Sequence, residues 1–513
     1  MTIIANKKSI NILLATSEIY PLVKTGGLAD FSYGLARSLK RLKTTPIVIL
    51  PAYRQVLQQL PKAKKLVTVD AAIAGKQTSE ILQAYIPGTQ IPIWLLATEE
   101  LFDRPGSPYA EAGGSDWPDN AKRFNHFAKV TAAIACGQID LGWKPDIVHC
   151  NDWQTGLIPA YINSYSPSEC PQRPATVFSI HNLAYQGNFS RETFDRLQLP
   201  WHWWSFDKLE FHDQLSFIKG GLVWGDKITT VSPQYAKEIM TEASGCGLDG
   251  LLRHRRTDLS GILNGVDYKT WNPAKDPLIH QRYKKNALHK KSMNKNFWLE
   301  THWAKSPKLN INKRHYKNQP LFGFIGRLCY QKGIDRLLAA IEHTAPTGAC
   351  WAILGSGDQQ HEQALAEITA RYPAQISLTL DYDEEVAHQI EASSDIFLMP
   401  SVYEPCGLNQ MYSLKYATLP IVSNTGGLVD TIINYNGKNI GSATGFVFDG
   451  PSLKSLLTTL DHAVTCYHDQ SLWQRLQKNA VNCDFSWDRS AEQYLQLYQS
   501  LLSPAEDPVV AHP

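Results

Sequence analysis

The sequence contains no long run of apolar residues. Its first apolar stretch, residues 10–14, has the length of a β-strand, and no other segment approaches the roughly 20 apolar residues that a membrane-spanning helix needs. The residues before it also lack the longer apolar core of a secretory leader. We therefore expect a cytoplasmic protein that has no membrane partner.

Neither sign of charge is in excess. The chain carries 50 basic and 48 acidic residues, and its formal net charge is +2. A balance of this kind gives no electrostatic attraction for the phosphates of nucleic acid. We therefore expect no nucleic-acid partner.

The nine cysteines include no pair with CxxC spacing. Zinc sites and dithiol redox centres commonly use that spacing, so neither is indicated. Because the number is odd and no secretory leader precedes them, we expect all of these thiols to be reduced.

Apolar runs of strand length alternate with helical patterns, which is typical of βαβ units and a parallel sheet. Strands are predicted at residues 10–15, 46–50, 146–150, 175–180 and 226–231, and a second series at 321–325, 351–354, 395–399 and 419–423. The first helix is predicted at 28–42, and Ser232-Pro233 should begin another helix. The restart of the alternation indicates two successive α/β domains.

The domain boundary is predicted near Asn264-Gly265, in a stretch followed by two prolines. This divides the chain into residues 1–262 and 263–486, followed by a helix at 487–502 and a frayed tail at 503–513. The segment 284–317 is rich in Lys and Asn, and we interpret it as helices on the surface of the second domain.

The loop Lys24-Thr25-Gly26-Gly27 lies between a predicted strand and a predicted helix. Ligands of open α/β sheets bind beyond the carboxyl ends of the strands. Glycine N–H groups at a helix N-terminus suit phosphate oxygens, and Lys24 adds a positive charge. The loop lacks the order of a P-loop, and an ordinary tight turn with a solvated lysine stays open as the alternative.

Similar clusters follow the strands of the second domain. Arg327 and Lys332 form a cation pair suited to neutralising a diphosphate leaving group without a metal, although a solvated basic loop has the same composition. Glu404 is placed to hold sugar or ribose hydroxyls. Thr425-Gly426-Gly427 offers backbone donors to a phosphate or sugar oxygen.

Two further patterns have competing interpretations. Asp152 and His181 each end a strand of the first domain, where they can contact a sugar, but a single such residue is more often structural. Asp381-Tyr382-Asp383 has the spacing of a metal-binding Asp-x-Asp. It also opens an acidic helical stretch, and we favour helix capping.

Taken in order, these clusters resemble the signatures of the bacterial glycogen synthases and plant starch synthases. The matching segments are 24–30 (KTGGLAD), 149–153 (HCNDW), 180–187 (IHNLAYQG), 209–221 (LEFHDQLSFIKGG), 230–233 (TVSP), 247–252 (GLDGLL), 263–273 (LNGVDYKTWNP), 326–333 (GRLCYQKG), 400–410 (PSVYEPCGLNQ) and 425–428 (TGGL). A single motif of this length is weak evidence, whereas ten in the same order are specific.

The resemblance implies a GT-B fold, in which two Rossmann-like, doubly wound α/β domains face each other across a deep cleft. It implies that the helix at 487–502 crosses back to the first domain. The implied reaction is transfer of glucose from ADP-glucose to the 4-hydroxyl at the non-reducing end of an α-1,4-glucan, with retention. Glycogen or a maltooligosaccharide would be the acceptor, and no metal or other cofactor is expected.

The resemblance also implies roles for individual residues. Lys24 would contact the nucleotide-sugar phosphates, Asn264 matches a hinge-region asparagine, and Tyr382 and Leu408 would lie near the adenosine. The implied catalytic residues are Asp152, His181, Arg327, Lys332 and Glu404. The implied substrate-binding residues are Lys24, Gly26, Gly27, Asp30, Asn182, Asn264, Tyr382, Cys406, Gly407, Leu408, Thr425, Gly426 and Gly427.

The chain departs from the family pattern at several positions. The departures are Val402-Tyr403 in place of Arg-Phe, Asn409 in place of Thr, Asp381 in place of Gly, Lys269 in place of an acidic residue, the lack of a basic residue near Ser423, and Tyr412 where many retaining relatives have a second Glu. They leave two alternatives open. One is a UDP-glucose-dependent relative, and the other is a catalytically weak glucan-binding or priming protein.

Overall fold

A computed structural model describes residues 9–111, 113–304 and 312–503. Within these ranges the strands are β1 (Asn11–Ala15), β2 (Thr45–Pro51), β3 (Lys64–Thr68), β4 (Glu80–Tyr85), β5 (Pro92–Ala97), β6 (Ile147–Asn151), β7 (Ala175–Ile180), β8 (Asn188–Ser190), β9 (Glu210–Phe211), β10 (Gln214–Ser216), β11 (Lys227–Thr230), β12 (Leu259–Gly261), β13 (Leu321–Ile325), β14 (Cys350–Leu354), β15 (Ile376–Thr379), β16 (Ile396–Met399), β17 (Leu419–Ser423) and β18 (Phe446–Phe448). Each strand predicted from the sequence is present, with ends that differ by no more than one residue.

The α-helices alternate with these strands. They are α1 (Gly27–Arg41), α2 (Arg54–Gln59), α3 (Ala71–Ala74), α4 (Glu99–Phe102), α5 (Asn120–Ala135), α6 (Leu157–Ser164), α7 (Arg191–Arg196), α8 (Phe217–Trp224), α9 (Pro233–Glu238), α10 (Asp249–His254), α11 (Lys291–Ala304), α12 (Lys313–Asn318), α13 (Ile334–Thr344), α14 (Gln359–Arg371), α15 (Glu384–Ser393), α16 (Asn409–Lys415), α17 (Gly426–Thr431), α18 (Leu453–His468), α19 (Gln470–Asn482) and α20 (Trp487–Leu502). Ser232 caps α9 as predicted, because its hydroxyl accepts the N–H of Tyr235 at 3.2 Å.

The chain divides into two compact units. Unit 1 comprises the residues up to Val231, Ala236–Gly265 and the segment from Trp487 onward. Unit 2 comprises Ser232–Tyr235 and Val266–Ser486. The predicted division at 262 and 263 therefore lies three residues before the observed one, and the short segment 232–235 groups with unit 2.

Unit 1 contains a nine-stranded sheet in the order β12-β11-β7-β6-β1-β2-β5-β4-β3. From β12 to β5 the strands are parallel, whereas β4 is antiparallel to both β5 and β3. The sequence interpretation did not include this antiparallel edge. The chain leaves β1 toward β2 on one side and later returns to β6 on the other, so β1 and β6 flank the point where the strand order reverses.

Helix α20 belongs to unit 1 and packs on α1. Its first residue, Trp487, lies against Phe31 with ring centroids 5.6 Å apart. Gly34 gives the indole room, since a side chain at that position in α1 would collide with the ring. Near the other end of α20, the hydroxyl of Tyr498 hydrogen-bonds His149 Nδ1 at 2.7 Å.

Unit 2 contains a six-stranded parallel sheet in the order β15-β14-β13-β16-β17-β18. The strands are buried along most of their length, as expected for a parallel sheet with helices on both faces. The strand order reverses between β13 and β16, which are hydrogen-bonded neighbours. In doubly wound folds such a reversal is where ligands bind.

Two sequence expectations are wrong. Cys136 and Cys170 form a disulfide, so the nine thiols are not all reduced. The segment 284–317 does not lie on the surface throughout, because α11 buries Trp303 and the ammonium group of Lys291, which donates to the carbonyls of Glu391 and Ala392. Residues 305–311 of that segment, and the predicted tail after Ser503, lie outside the described residues.

Candidate active site

In unit 1, the loop between β1 and α1 carries Lys24. Its ammonium group forms an ion pair with Asp30 at 3.0 Å and lies 5.9 Å from the ring centroid of Tyr20. Asp30 is in the first turn of α1, where a carboxylate is favoured by the helix dipole. Lys24 is thus oriented by Tyr20 of its own loop and by Asp30 of the helix that follows.

The buried carboxylate of Glu18 organises the same loop. It accepts hydrogen bonds from the N–H of Thr25 at 2.6 Å, the N–H of Gly26 at 3.1 Å and the hydroxyl of Tyr109 at 2.6 Å. Burial and the neighbouring Glu18 charge raise the pKa of Tyr109 well above its usual value. The N–H of Gly26, which the sequence suggested for a phosphate, therefore donates to an anion of the chain itself. Gly27 follows as the first residue of α1.

Asp152 directly follows β6 in a strained conformation. Its φ of 58° and ψ of 179° are rarely adopted by residues with a side chain and cost on the order of 1–3 kcal/mol. Its carboxylate accepts the backbone N–H of His181 at 2.7 Å and that of Asn182. Burial raises the pKa of Asp152 to about 7, although these two backbone hydrogen bonds oppose the increase.

His181 follows β7, the neighbour of β6. Its Nε2 lies 3.0 Å from Asn151 Oδ1, and Phe31 contacts the imidazole edge-on at a centroid distance of 4.4 Å. Burial lowers the pKa of His181 to about 3, so the ring is neutral at physiological pH. The amide oxygen of Asn182 accepts the N–H of Ala184 at 3.1 Å. The structure thus brings Asp152, His181 and Asn182 together.

Asn264 lies apart from this group in the sequence, at the end of the unit 1 segment that precedes unit 2. Its side chain is buried, and its Oδ1 has no hydrogen-bond partner among the residues that the structure describes. A buried amide oxygen without a partner is costly and is often found at ligand sites.

In unit 2, a partly buried ion pair joins the loops that follow β13 and β16. The ammonium group of Lys332 lies 2.6 Å from Glu404 Oε2, and the hydroxyl of Ser401 donates to the same oxygen at 2.9 Å. Because β13 and β16 are neighbours, their carboxyl ends bring these loops together at the reversal of strand order. Arg327, on the same loop as Lys332, is exposed.

The glycine pair at the start of α17 approaches this group closely. Gly427 donates its N–H to the backbone carbonyl of Glu404 at 3.1 Å. Gly426 has a φ of 44°, and a side chain there would collide with the same carbonyl. Thr425 precedes them and donates its N–H to Ser423 O at 2.9 Å. The N–H of Gly427, predicted to face a ligand, thus holds the Glu404 loop.

The remaining predicted residues of this loop lie between Glu404 and α16. The carbonyl of the buried Cys406 accepts the side-chain amide of Gln410 at 3.0 Å. Gly407 has a φ of 71°, in the region that favours glycine, and Leu408 is the residue before the first turn of α16. Hydrogen bonds of the chain therefore fix the turn that carries Glu404.

The acidic stretch before α15 is a helix cap. Asp383 accepts the N–H of Val386 at 3.0 Å, which confirms the capping interpretation, and Asp381 accepts the N–H of the neighbouring Tyr382 at 2.7 Å. The ring of Tyr382 is exposed. Within the described ranges, no group of three or more His, Cys, Asp or Glu side chains is arranged to hold a metal ion.

Two of the departures from the family pattern, Asn409 and Tyr412, have structural roles. Asn409 donates its side-chain amide to the carbonyl of Ile325 at 2.8 Å, which ties α16 to the end of β13. Tyr412 stacks on Trp271 with ring centroids 4.0 Å apart, and His388 stacks on Trp271 at 3.8 Å. Tyr412, at the position where many retaining relatives have a second Glu, is thus part of an aromatic stack in this protein.

Sequence reasoning missed three polar residues that organise the site. They are Glu18, Asn151 and Ser401. Asn151 and Ser401 lie one to three residues from predicted site residues, so proximity in sequence was an available signal. Glu18 gave a weaker signal, as an acidic residue shortly before a glycine-containing turn.

No helix in the described residues is long and apolar enough to span a membrane.

Two protein-family models match the chain. Residues 11–254 match the starch synthase catalytic domain, and residues 306–482 match the glycosyl transferases group 1 family. A solved structure, the catalytic domain of starch synthase IV from Arabidopsis thaliana bound to ADP and acarbose, superposes with a TM-score of 0.83. It is 30% identical, and the match covers 97% of this chain and 100% of that one.

Full-length relatives are more similar. Glycogen synthase from Thioalkalivibrio sulfidiphilus is 46% identical, and that from Cellvibrio japonicus is 47% identical. Each match covers 96% of this chain and 100% of the relative. Since the similarity extends over both units and includes the Lys332–Glu404 and Asp152–His181 regions, the chain belongs to the glycogen synthase family.

Proposed function

We propose that this protein transfers glucose from ADP-glucose to the 4-hydroxyl at the non-reducing end of an α-1,4-glucan, with retention of configuration. The observation that carries the proposal is the partly buried Lys332–Glu404 pair at the reversal of strand order in unit 2. It places a fixed cation beside a carboxylate suited to sugar hydroxyls. The names of the glycogen synthase relatives and the ADP and acarbose bound to the starch synthase neighbour support the same assignment.

In this proposal, Arg327 and Lys332 neutralise the diphosphate as it leaves. Fixed cations can stabilise a developing negative charge without reorganising during the reaction. Lys24 of unit 1 contacts the donor phosphates as well, and Asp30 orients its ammonium group through the ion pair at 3.0 Å. No metal is assigned a role, and Asp383 serves α15 as a cap.

Asp152, His181 and Asn182 bind the glucosyl group in this proposal, together with Glu404. The neutral imidazole of His181 forms a hydrogen bond with a hydroxyl of the sugar and does not supply charge. Glu404, held by Lys332 and Ser401, accepts hydrogen bonds from hydroxyls of the sugar. Gly26 and Gly27 shape the loop of unit 1 that carries Lys24, and the buried amide oxygen of Asn264, which has no partner among the described residues, is assigned to the substrate.

The nucleotide would lie along the α16 and α17 loops of unit 2. Tyr382 and Leu408 are assigned to the adenosine, and Cys406, Gly407, Thr425, Gly426 and Gly427 to the backbone surface beside it. The exposed ring of Tyr382 is suited to stacking on a base. We also propose a cytoplasmic location, where nucleotide sugars are available.

Retention follows from attack on the same face from which the diphosphate departs. The bond between glucose C1 and the phosphate oxygen breaks, a bond between C1 and the acceptor O4 forms, and the O4 proton passes to the departing phosphate. No enzymic nucleophile is required, which fits the presence of Tyr412 where many retaining relatives have a second Glu.

The linkage and anomeric form of the product test this proposal. Maltotetraose is incubated with radiolabelled ADP-glucose, and the product is digested with an exo-acting enzyme specific for α-1,4 bonds. We expect the label to be released from the non-reducing end by that enzyme. A β-linked product, or label that resists the digestion, would contradict the assigned reaction.

A further inference from the structure

Asn151, the last residue of β6, lies fully buried beneath the candidate sugar-binding group. Its side-chain Nδ2 donates to the backbone carbonyl of Ala15 at 3.0 Å. Its Oδ1 lies 3.0 Å from Nε2 of His181. The amide thus links the end of β1 to the imidazole at the end of β7.

These two contacts determine which ring nitrogen of His181 carries the hydrogen. The carbonyl of Ala15 can only accept, so the amide nitrogen of Asn151 must face it and the amide oxygen must face His181. That oxygen can also only accept, so His181 Nε2 carries the hydrogen. In a neutral imidazole the other nitrogen, Nδ1, then holds a lone pair and can only accept a hydrogen bond.

The ring has little freedom to exchange the two nitrogens. Phe31 packs edge-on against it, and the backbone N–H of His181 is held by Asp152 at 2.7 Å. His181 is half-buried, whereas Asn151 is fully buried. The residue that sets the tautomer is therefore separate from the residue that can reach a ligand.

We propose that Asn151 is a positioning residue: by accepting the Nε2–H of His181, it holds the imidazole in the tautomer whose Nδ1 accepts a hydrogen bond from a hydroxyl of the bound sugar. This inference rests on the proposed function, which assigns His181 to the glucosyl group. The hydroxyl keeps its proton in this interaction, so His181 orients the sugar and no proton is transferred.

The tautomer is measured directly on the full-length protein labelled with isotopic nitrogen in histidine. Proton–nitrogen correlation spectra distinguish the two tautomers, and His181→Gln identifies the resonance. We expect Nε2–H in the wild type and in Asn151→Asp, whose carboxylate still accepts. Asn151→Ala should lose that preference. A wild-type His181 protonated at Nδ1, or an unchanged tautomer in Asn151→Ala, would overturn the inference.

Kinetics distinguish positioning from a purely structural role. We expect Asn151→Ala to lower kcat/KM for ADP-glucose by roughly ten- to 100-fold. In Asn151→Asp the added carboxylate should raise the pKa of His181 and move the acidic limb of the pH–activity profile to higher pH. An equal loss in both variants, with no movement of the profile, would contradict positioning and indicate a structural role.

Two controls complete the design. Asn163→Ala removes an exposed asparagine that also donates to backbone carbonyls of unit 1, and it should change neither the tautomer nor the activity. His181→Gln tests the proposed function separately. If it leaves glucan synthesis unchanged while the tautomer behaves as described, the role of His181 fails and the positioning role fails with it.

Discussion

At the scale of single residues, burial determines which side chains near the candidate site carry charge. Burial lowers the pKa of His181 to about 3, which keeps the ring neutral, and raises the pKa of Asp152 to about 7. Lys332 and Glu404 face each other at 2.6 Å and form an ion pair. A diphosphate that binds Lys332 would share this cation with Glu404, so the pair couples leaving-group binding to sugar binding.

Replacing Lys332 with Gln should therefore impair catalysis more than folding. We expect kcat/KM for ADP-glucose to fall by roughly 10²- to 10³-fold, the usual loss when one charge-stabilising donor is removed. Lys332→Arg keeps the charge and should retain part of the activity. Lys438→Gln, at an exposed position, is the matched control. Wild-type kinetics in Lys332→Gln would show that Lys332 has no role in the reaction.

The raised pKa of Asp152 also predicts how stability depends on pH. A carboxyl whose pKa is higher in the folded state than in the unfolded state binds more protons when folded, so its contribution is complete below about pH 4 and is lost as the pH rises through about 7. Asp152→Asn lacks this titration. Between pH 5 and 8 in denaturant titrations, the free energy of unfolding of the wild type should therefore fall relative to that of Asp152→Asn, by on the order of 1–4 kcal/mol. Parallel curves for the two proteins would contradict the shift.

At the scale of elements, the two glycine-containing loops, before α1 and before α17, are held mainly by hydrogen bonds within the protein. Glu18 accepts the N–H groups of Thr25 and Gly26, and the carbonyl of Glu404 accepts that of Gly427. The glycines thus allow close packing within each unit, and the cationic side chains Lys24 and Lys332, each paired with a carboxylate of the chain, carry the positive charge of these regions.

Glu18→Gln tests the first of these loops. The neutral amide accepts more weakly than a carboxylate and loses one charge-assisted hydrogen bond or more. We expect KM for ADP-glucose to rise several-fold because Lys24 is less well oriented, with a smaller change in kcat. Glu99→Gln, an exposed residue of unit 1, should behave as the wild type in the same assay. A loss confined to kcat would argue against a loop-ordering role.

The disulfide connects the end of α5 to the segment after α6. It joins residues 34 apart in sequence, and closing a loop of that size typically contributes about 2–4 kcal/mol to stability. Cys136→Ser should lower the free energy of unfolding of unit 1 under non-reducing conditions. The wild type and the variant should converge when a strong reductant is present. A difference that persists in reductant would point to packing and not to the bond.

At the scale of the whole molecule, the strand ends were predictable because polar clusters interrupt apolar runs. Asp152, His181 and Glu404 were proposed as site residues in this way, because each lies shortly after a predicted strand. The antiparallel edge formed by β3, β4 and β5 was not predicted, since its pairing depends on distant partners and its strands are partly exposed. The sequence pattern also predicted wrongly that α11 lies on the surface. Lys291 of this helix is buried, and burial lowers its pKa to about 7.

Hydrogen-bond partners within the site were the least predictable feature. A glycine motif looks the same in sequence whether its N–H groups face a phosphate or a carboxylate of the chain, so the role of Glu18 is visible only in the folded structure. Likewise, the Cys136–Cys170 bond depends on how α5 and the segment after α6 pack, which cysteine spacing alone does not indicate.

The most direct test of the central claim compares two donors side by side. Purified protein is incubated with glycogen and either ADP-glucose or UDP-glucose, and release of ADP or UDP is measured with Glu404→Ala as the inactive control. We predict rapid ADP release that depends on glycogen, much slower UDP release, and little of either from Glu404→Ala. Faster UDP release, or activity that survives in Glu404→Ala, would contradict the account.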